Sequence, residues 1–229
     1  MTESEARALF VGTAKGWLGF SEASGQHRLI VDLYNGKTPL PRNYKVAYTD
    51  AWCATFVSAC AIKAGMANII PRECSCWYQV EAWKQMEHWC ENDAHTPQPG
   101  DIIYYDWQDS GAGDDTGVPD HVGIVEKISG SMITVIEGNK NDSVERRQIA
   151  INARYIRGYG LPDFAWWAKG KTKEEKSVAP EKWYIKSGEL AEAKKLGITD
   201  GTRPDEPATR AEVAAMVLRA VKLIREGMA

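Results

Sequence analysis

The sequence predicts an α+β fold, with N-terminal helices packed on an antiparallel sheet and a small helical unit at the C-terminal end. Three observations lead to it. Apolar residues recur at helical spacing up to about residue 90, and short β-branched runs bounded by glycine and proline follow from Ile102 onward. Helices first and strands afterwards argue for segregated rather than alternating elements. A polar Lys/Glu-rich stretch, Lys169–Pro180, then reads as a linker to two further helical patterns. The 229 residues, 44% of them apolar, suffice for one sizeable core and a small appendage. The expected division is 1–167, a linker over 168–182, and 183–229.

Each element has its own signal. Glu3–Trp17 places Leu9, Phe10, Thr13 and Trp17 on one helical face. Gln26–Tyr34 is a second helix, stopped by Asn35-Gly36. From Cys53 to Ala64 the stripe Cys53, Phe56, Val57, Cys60, Ala61, Ala64 marks a buried helix, with Thr49 or Asp50 as its expected cap and Gly65 at its end. A further helix is expected over Cys76–Cys90. Strands are expected at Ile102–Tyr105, His121–Glu126, Ser131–Glu137 and Arg154–Tyr159, with Gly130 turning the middle pair into a meander. In the tail, Trp183–Gly197 and Thr209–Arg225 read as two helices, too few to form an independent core.

Charge and hydropathy exclude several functions. A net charge of −3 gives no footprint for nucleic acid. From Ala168 onward the chain carries 13 Lys+Arg against 10 Asp+Glu, so a mildly basic tail follows an acidic body. No apolar run is long enough to span a bilayer. The acidic start Met1-Thr2-Glu3-Ser4-Glu5 lacks the features of a secretory signal, so synthesis in the cytoplasm is expected. The nine tryptophans and nine tyrosines serve mainly as core, although aromatics also stack on sugar rings.

The chemistry centres on one of five cysteines. Cys53 opens the buried helix, where the helix dipole and unpaired N–H groups favour the thiolate. Cys60 lies on the same face and reads as core. Cys74-Ser75-Cys76, with Cys90 and His88, lacks the usual spacing of zinc ligands, so no metal and no cofactor are expected. Among four histidines, His121 is the best placed base, at the mouth of a short apolar strand; His27, His88 and His95 read as surface residues. The next strand ends in Ile136-Glu137-Gly138-Asn139, and antiparallel pairing brings Glu137 or Asn139 to the same sheet edge as His121. Asp106, Asp109, Asp114 and Asp115 fit no calcium-loop spacing and read as a solvated acidic loop beside the cleft.

Four runs carry a resemblance: Asp50-Ala51-Trp52-Cys53-Ala54-Thr55-Phe56-Val57, Pro99-Gly100-Asp101-Ile102, Pro119-Asp120-His121-Val122-Gly123-Ile124-Val125 and Val135-Ile136-Glu137-Gly138-Asn139. Together they resemble the CHAP domain of the cysteine, histidine-dependent amidohydrolases/peptidases, related to the NlpC/P60 group, over roughly Gly25–Pro162. The resemblance implies a papain-like core and a peptidoglycan hydrolase, either an N-acetylmuramoyl-L-alanine amidase or an endopeptidase. Cys53 is then the nucleophile, His121 the base and later acid, Glu137 its orienting group and Asn139 a polar site residue. Some relatives carry Gln where this chain has Trp52, which leaves backbone N–H groups as the oxyanion donors and Trp52 as a substrate contact.

In the tail, Trp183, Ala191, Leu196-Gly197-Ile198-Thr199-Asp200-Gly201 and Ala208-Thr209-Arg210-Ala211-Glu212-Val213 resemble a single S-layer-homology (SLH) repeat. Such repeats bind secondary cell-wall polymers, usually as sets of three. A lone copy implies a homo-oligomer as the route to tight binding, and Arg210 is the expected contact for an anionic glycan. With the cytoplasmic start, these features imply a phage endolysin released to the wall through a holin. A toxin amidase of the same chemistry and an inactive wall-binding scaffold are the alternatives.

Overall fold

A computed structural model describes residues 1–110, 116–176, 193–196, 216–218 and 221. The chain divides into two compact units, Met1–Thr172 and Lys173–Ala229. In the first, helices α1 (Glu3–Lys15), α2 (His27–Asn35), α3 (Cys53–Ala64) and α4 (Cys76–Gln85) precede strands β1 (Trp89–Cys90), β2 (Ile102–Tyr105), β3 (His121–Ser129), β4 (Met132–Lys140), β5 (Ser143–Ala150) and β6 (Ile156–Gly160). Helix α5 (Phe164–Lys176) follows. The strands form one antiparallel sheet in the order β1-β6-β2-β3-β4-β5, so the fold is α+β as the order of elements predicts.

Helix α3 is the centre of the unit. Every residue from Cys53 to Ala61 is buried, the signature of a helix covered on all sides. It packs against α1 and α2 on one side and β3 and β4 on the other. Gly138 on β4 permits this approach: a Cβ there would lie 2.4 Å from Phe56 Cβ and 3.0 Å from Trp52 Cζ3. The sheet buries both faces by strict alternation. Ile102, Tyr104, Val122, Ile124 and Ile136 face the helical core, while Ile103, Tyr105, Val125, Ile133, Val135 and Tyr159 form a second cluster on the far side.

A buried polar network ties the starts of α3 and α4 together. Ser58 Oγ donates to the Glu73 carbonyl (2.6 Å) and accepts from the Glu73 N–H (2.9 Å). Gln79 Nε2 donates to Ser58 Oγ (3.3 Å) and to the Pro71 carbonyl (3.0 Å). Tyr104 Oη donates to Gln79 Oε1 (2.9 Å) and accepts from Trp83 Nε1 (2.8 Å), so a strand, a loop and two helices share one set of bonds.

Several boundaries differ from the sequence expectation. Helix α4 ends at Gln85, and Trp89–Cys90 pairs with β6 instead of extending it. The cause is a C-terminal cap built without glycine. Glu87 takes φ 60°, its N–H donates to Lys84 O, and the His88 N–H donates to Trp83 O. Strand β5 was not anticipated. Its apolar residues Val144 and Ile149 are five apart and face opposite sides, which defeats a one-face alternation. Residues 169–176, expected as linker, continue α5, whose start is capped by Asp163 Oδ1 accepting from the Trp166 N–H (2.8 Å). Neither Thr49 nor Asp50 caps α3; Trp52 holds that position without a side-chain bond, whereas Gly65 ends the helix in the left-handed conformation as expected. In the tail, residues 193–195, 216–218 and 221 are helical, and the rest of the two expected helices lies outside the described residues.

Tyr104→Phe should cost about 1–3 kcal/mol, because it leaves Gln79 Oε1 and Trp83 Nε1 unpaired in the core. Urea unfolding should show a lower midpoint with an unchanged slope.

Candidate active site

Three elements converge at one end of the sheet. Cys53 is the first residue of α3, His121 the first of β3, and Glu137 lies near the end of β4. His121 pairs with Tyr105, and Glu137 pairs with Gly123, two residues along β3 from His121. Glu137 therefore approaches the imidazole on a diagonal across Gly123. A Cβ at Gly123 would come within 2.8 Å of Glu137 Cγ and 2.5 Å of Val135 Cγ1, so the missing side chain is the space the carboxylate stem occupies.

The histidine ring is held from both sides. His121 Nε2 lies 3.1 Å from Glu137 Oε2, which leaves Nδ1 as the ring nitrogen available to the neighbouring Cys53 thiol. Tyr105 stacks on the imidazole (5.9 Å between centroids, 24°), and Trp107 stacks on Tyr105 (4.9 Å, 11°). These aromatic faces restrict the ring to the plane shared by its two partners. Glu137 is fully buried, and its second oxygen, Oε1, accepts from Arg147 Nε at 2.6 Å. The guanidinium lies over the Trp107 ring, 4.9 Å from its centre.

Electrostatics follow from this packing. Hydrogen bonding from Cys76 is the largest influence on Cys53; burial opposes it, and His121 and the Ala54 N–H reinforce it, so the thiol is held well below its ordinary value. Burial works against a charged His121, but the bonds to Cys53 and Glu137 prevail and push the ring up to about 9. Burial likewise opposes the Glu137 carboxylate, and His121 with Arg147 keeps it below the usual carboxylate range. These directions favour a negative charge on Cys53 and a positive one on His121, beside the Glu137 carboxylate.

One cleft reaches His121, and a second lies against the segments that precede α3 and α4. One, of about 290 Å³, is lined by Trp107, His121, Asn139, Lys140, Asn141 and Arg147. The other, of about 190 Å³, is lined by Arg42, Tyr44, Val46, Asp50, Ala51, Cys74 and Ser75, next in sequence to the two buried cysteines. Asn139 thus lies on the wall of the His121 cleft, with φ 57° in a β4 irregularity, while Glu137 takes the ring nitrogen.

Other expected residues are placed differently. Trp52 is no substrate contact: it is fully buried, donates from Nε1 to Glu22 Oε1 (2.9 Å) and packs on His27. The residue before Cys53 is drawn into the core here because α3 is covered on all sides. His27 is buried, not superficial, with Nε2 donating to the Tyr48 carbonyl at 3.0 Å. Asp106 is buried and accepts from the Gln108 N–H, so it is no part of a solvated loop, and Asp114 and Asp115 lie outside the described residues. Arg210 also lies outside them. Among the described residues no cluster of His, Cys, Asp and Glu has metal-binding geometry. Arg147 and Cys76 were not read as site residues, since Arg147 sits on the unanticipated β5 and Cys76 is 23 residues from Cys53 in sequence.

The rate of any reaction using this pair should be bell-shaped in pH. As pH rises through about 9 the His121 imidazolium loses its proton and can no longer serve as acid, so kcat/KM should fall there. On the acid side the limb should lie well below an ordinary thiol value, as Cys53 becomes protonated. A pH–rate profile with a soluble amide substrate checks both limbs.

The comparisons bear on the same residues. No curated protein matches the chain. Among solved structures, the crystal structure of Ly7917 with the hydrolyzing product of MDP is 16% identical at a TM-score of 0.39, covering 68% of this chain and 62% of that one. The crystal structure of Ly7917 is 14% identical at a TM-score of 0.41, covering 72% of this chain and 63% of that one. The chain thus spans less than two thirds of the length of either. The CHAP-domain family model matches residues 43–139, a span that contains Cys53, Cys76, His121, Glu137 and Asn139. Over residues 43–139 the chain is thus similar to the CHAP domain, within the first compact unit.

Proposed function

We propose that the protein is a cysteine hydrolase that cleaves an amide bond in the peptide stem or cross-bridge of bacterial peptidoglycan. The observation that carries this reading is the buried, hydrogen-bonded His121–Glu137 pair beside Cys53 inside the CHAP match. In this mechanism Cys53 Sγ attacks the amide carbonyl. The backbone N–H groups at the start of α3, which lack intrahelical partners, receive the negative charge on the carbonyl oxygen. The His121 imidazolium gives its proton to the departing amine, leaving a thioester on Cys53. Neutral His121 then takes a proton from water, whose attack releases the acid and regenerates the thiolate. Glu137 keeps its charge throughout and holds the ring in register, with Arg147 holding Glu137. Asn139 sits on the wall where the substrate chain lies.

Cys53→Ala should abolish lysis of purified Gram-positive walls and the release of new amino termini from digested peptidoglycan. Mass spectrometry of the wild-type digest identifies the bond cut, and undiminished lysis by the variant would refute the assignment.

The same reading gives residues 183–229 the role of a wall-binding unit of SLH type, with Arg210 toward an anionic glycan. Its support is the run Leu196–Gly201 with Ala208–Val213 and the basic balance of the tail. Removing 183–229 should reduce co-sedimentation with walls several-fold while leaving hydrolysis of a soluble muropeptide unchanged; equal sedimentation of both forms would reject the role.

A further inference from the structure

Cys53 has a second sulfur beside it. Cys76 Sγ lies 3.7 Å from Cys53 Sγ, and both residues are nine-tenths or more buried. Each opens a helix, Cys53 on α3 and Cys76 on α4, and the Ser58–Gln79–Tyr104 network fixes those two helix starts against each other. All five cysteines are free thiols, so the contact is between unbonded sulfurs.

At this distance one sulfur donates and the other accepts, and the surroundings decide which. Cys53 faces the His121 ring, which carries a positive charge in the resting pair. The bond to the Cys53 sulfur and burial weigh most against a charge on Cys76, and the Asp120 carboxylate adds to them. The negative charge therefore resides on Cys53, and the proton stays on Cys76. We propose that Cys76 is a catalytic residue of this site, its S–H donating a hydrogen bond to the Cys53 thiolate and so setting the pH at which the nucleophile forms.

This assignment rests on Cys53 being the nucleophile, and its consequences are specific. The Cys53 thiolate then has donors in both His121 and Cys76, with the Ala54 N–H in addition. When hydrolysis of the thioester releases Cys53 again, Cys76 is in place to receive the returning thiolate. The bond stabilises the thiolate before attack, so it has two opposite effects. It raises the thiolate fraction at low pH, and it lowers the nucleophilicity of each thiolate, which falls as thiol acidity rises.

The test is the pH dependence of Cys53 alkylation by iodoacetamide, followed by peptide mass spectrometry in the full-length protein, and it needs no wall substrate. Cys76→Ala should move the midpoint of Cys53 alkylation to higher pH, giving an about tenfold lower rate on the acid side for a one-unit shift. On the alkaline plateau the same variant should react about threefold faster. Cys76→Ser, which keeps a donor, should restore most of the wild-type profile. The acid limb of kcat/KM on peptidoglycan should move with the alkylation midpoint.

A Cys76→Ala midpoint equal to wild type, or a uniform loss of rate at every pH, would overturn the proposal, since a merely structural cysteine gives that result. Should Cys76→Ala fail to fold, the reciprocal measurement decides. In Cys53→Ala the midpoint of Cys76 alkylation should fall, because the neighbouring anion is gone, and an unchanged midpoint would overturn the proposal equally. A protein that shifts as described yet leaves walls intact would keep the thiol pair and discard peptidoglycan as the substrate.

Discussion

The carboxylate of Glu137 has no contact with solvent, and the architecture around it follows from that constraint. A buried carboxylate persists only when both oxygens are paired. His121 takes one and Arg147 the other, at 3.1 Å and 2.6 Å. To place those partners the sheet needs β3, β4 and β5 side by side, a residue without a side chain at Gly123, and an aromatic wall at Tyr105 and Trp107. The same anion supports a charged imidazole despite burial, and the charged imidazole supports a thiolate. Site chemistry and sheet packing are thus set by one ion.

The second organising contact is between the starts of two helices. Cys53 and Cys76 meet because α3 and α4 are tied through Ser58, Glu73, Gln79 and Tyr104. Each helix start brings a positive dipole end and unpaired N–H groups to the same place. Such a place favours negative charge, whether on a resting sulfur or on the oxygen of a carbonyl under attack. The buried network therefore carries a polar cost inside the core for a positional result at its edge.

Much of this was legible in the sequence, for physical reasons that can be named. The stripe from Cys53 to Ala64 and its closing Gly65 define α3 because helical periodicity and a left-handed end are local signals. The sheet edge shared by His121 and Glu137 follows from a short turn between two apolar runs, and antiparallel pairing then fixes which ends meet. What escaped was non-local or lacked its usual residue. Helix α4 ends on Glu87 in a conformation that glycine normally marks. Strand β5 hides because its apolar residues serve opposite faces, and with it went Arg147. Cys76 is 23 residues from its partner, and no pattern along the chain links them. Trp52 adjoins the candidate nucleophile in sequence, which suggests a ligand contact, whereas burial of α3 on every side leaves it only the core.

Charge balance around the site constrains how a substrate is recognised. Glu137 is answered by Arg147, and a thiolate on Cys53 would be answered by an imidazolium on His121, so the centre carries no net charge. Polar groups on the cleft walls are bonded as well. Arg42 is bound to Glu73 through both carboxylate oxygens, Tyr44 Oη donates to Asp50, and Lys140 pairs with Glu145. With these charges answered, long-range attraction contributes little to binding in either cleft. Recognition falls to groups that form bonds at contact, namely the amide of Asn139, the N–H groups at the start of α3, and the aromatic faces of Tyr44 and Trp107. A neutral amide backbone suits such walls, because it supplies donors and acceptors without asking a buried ion pair to open.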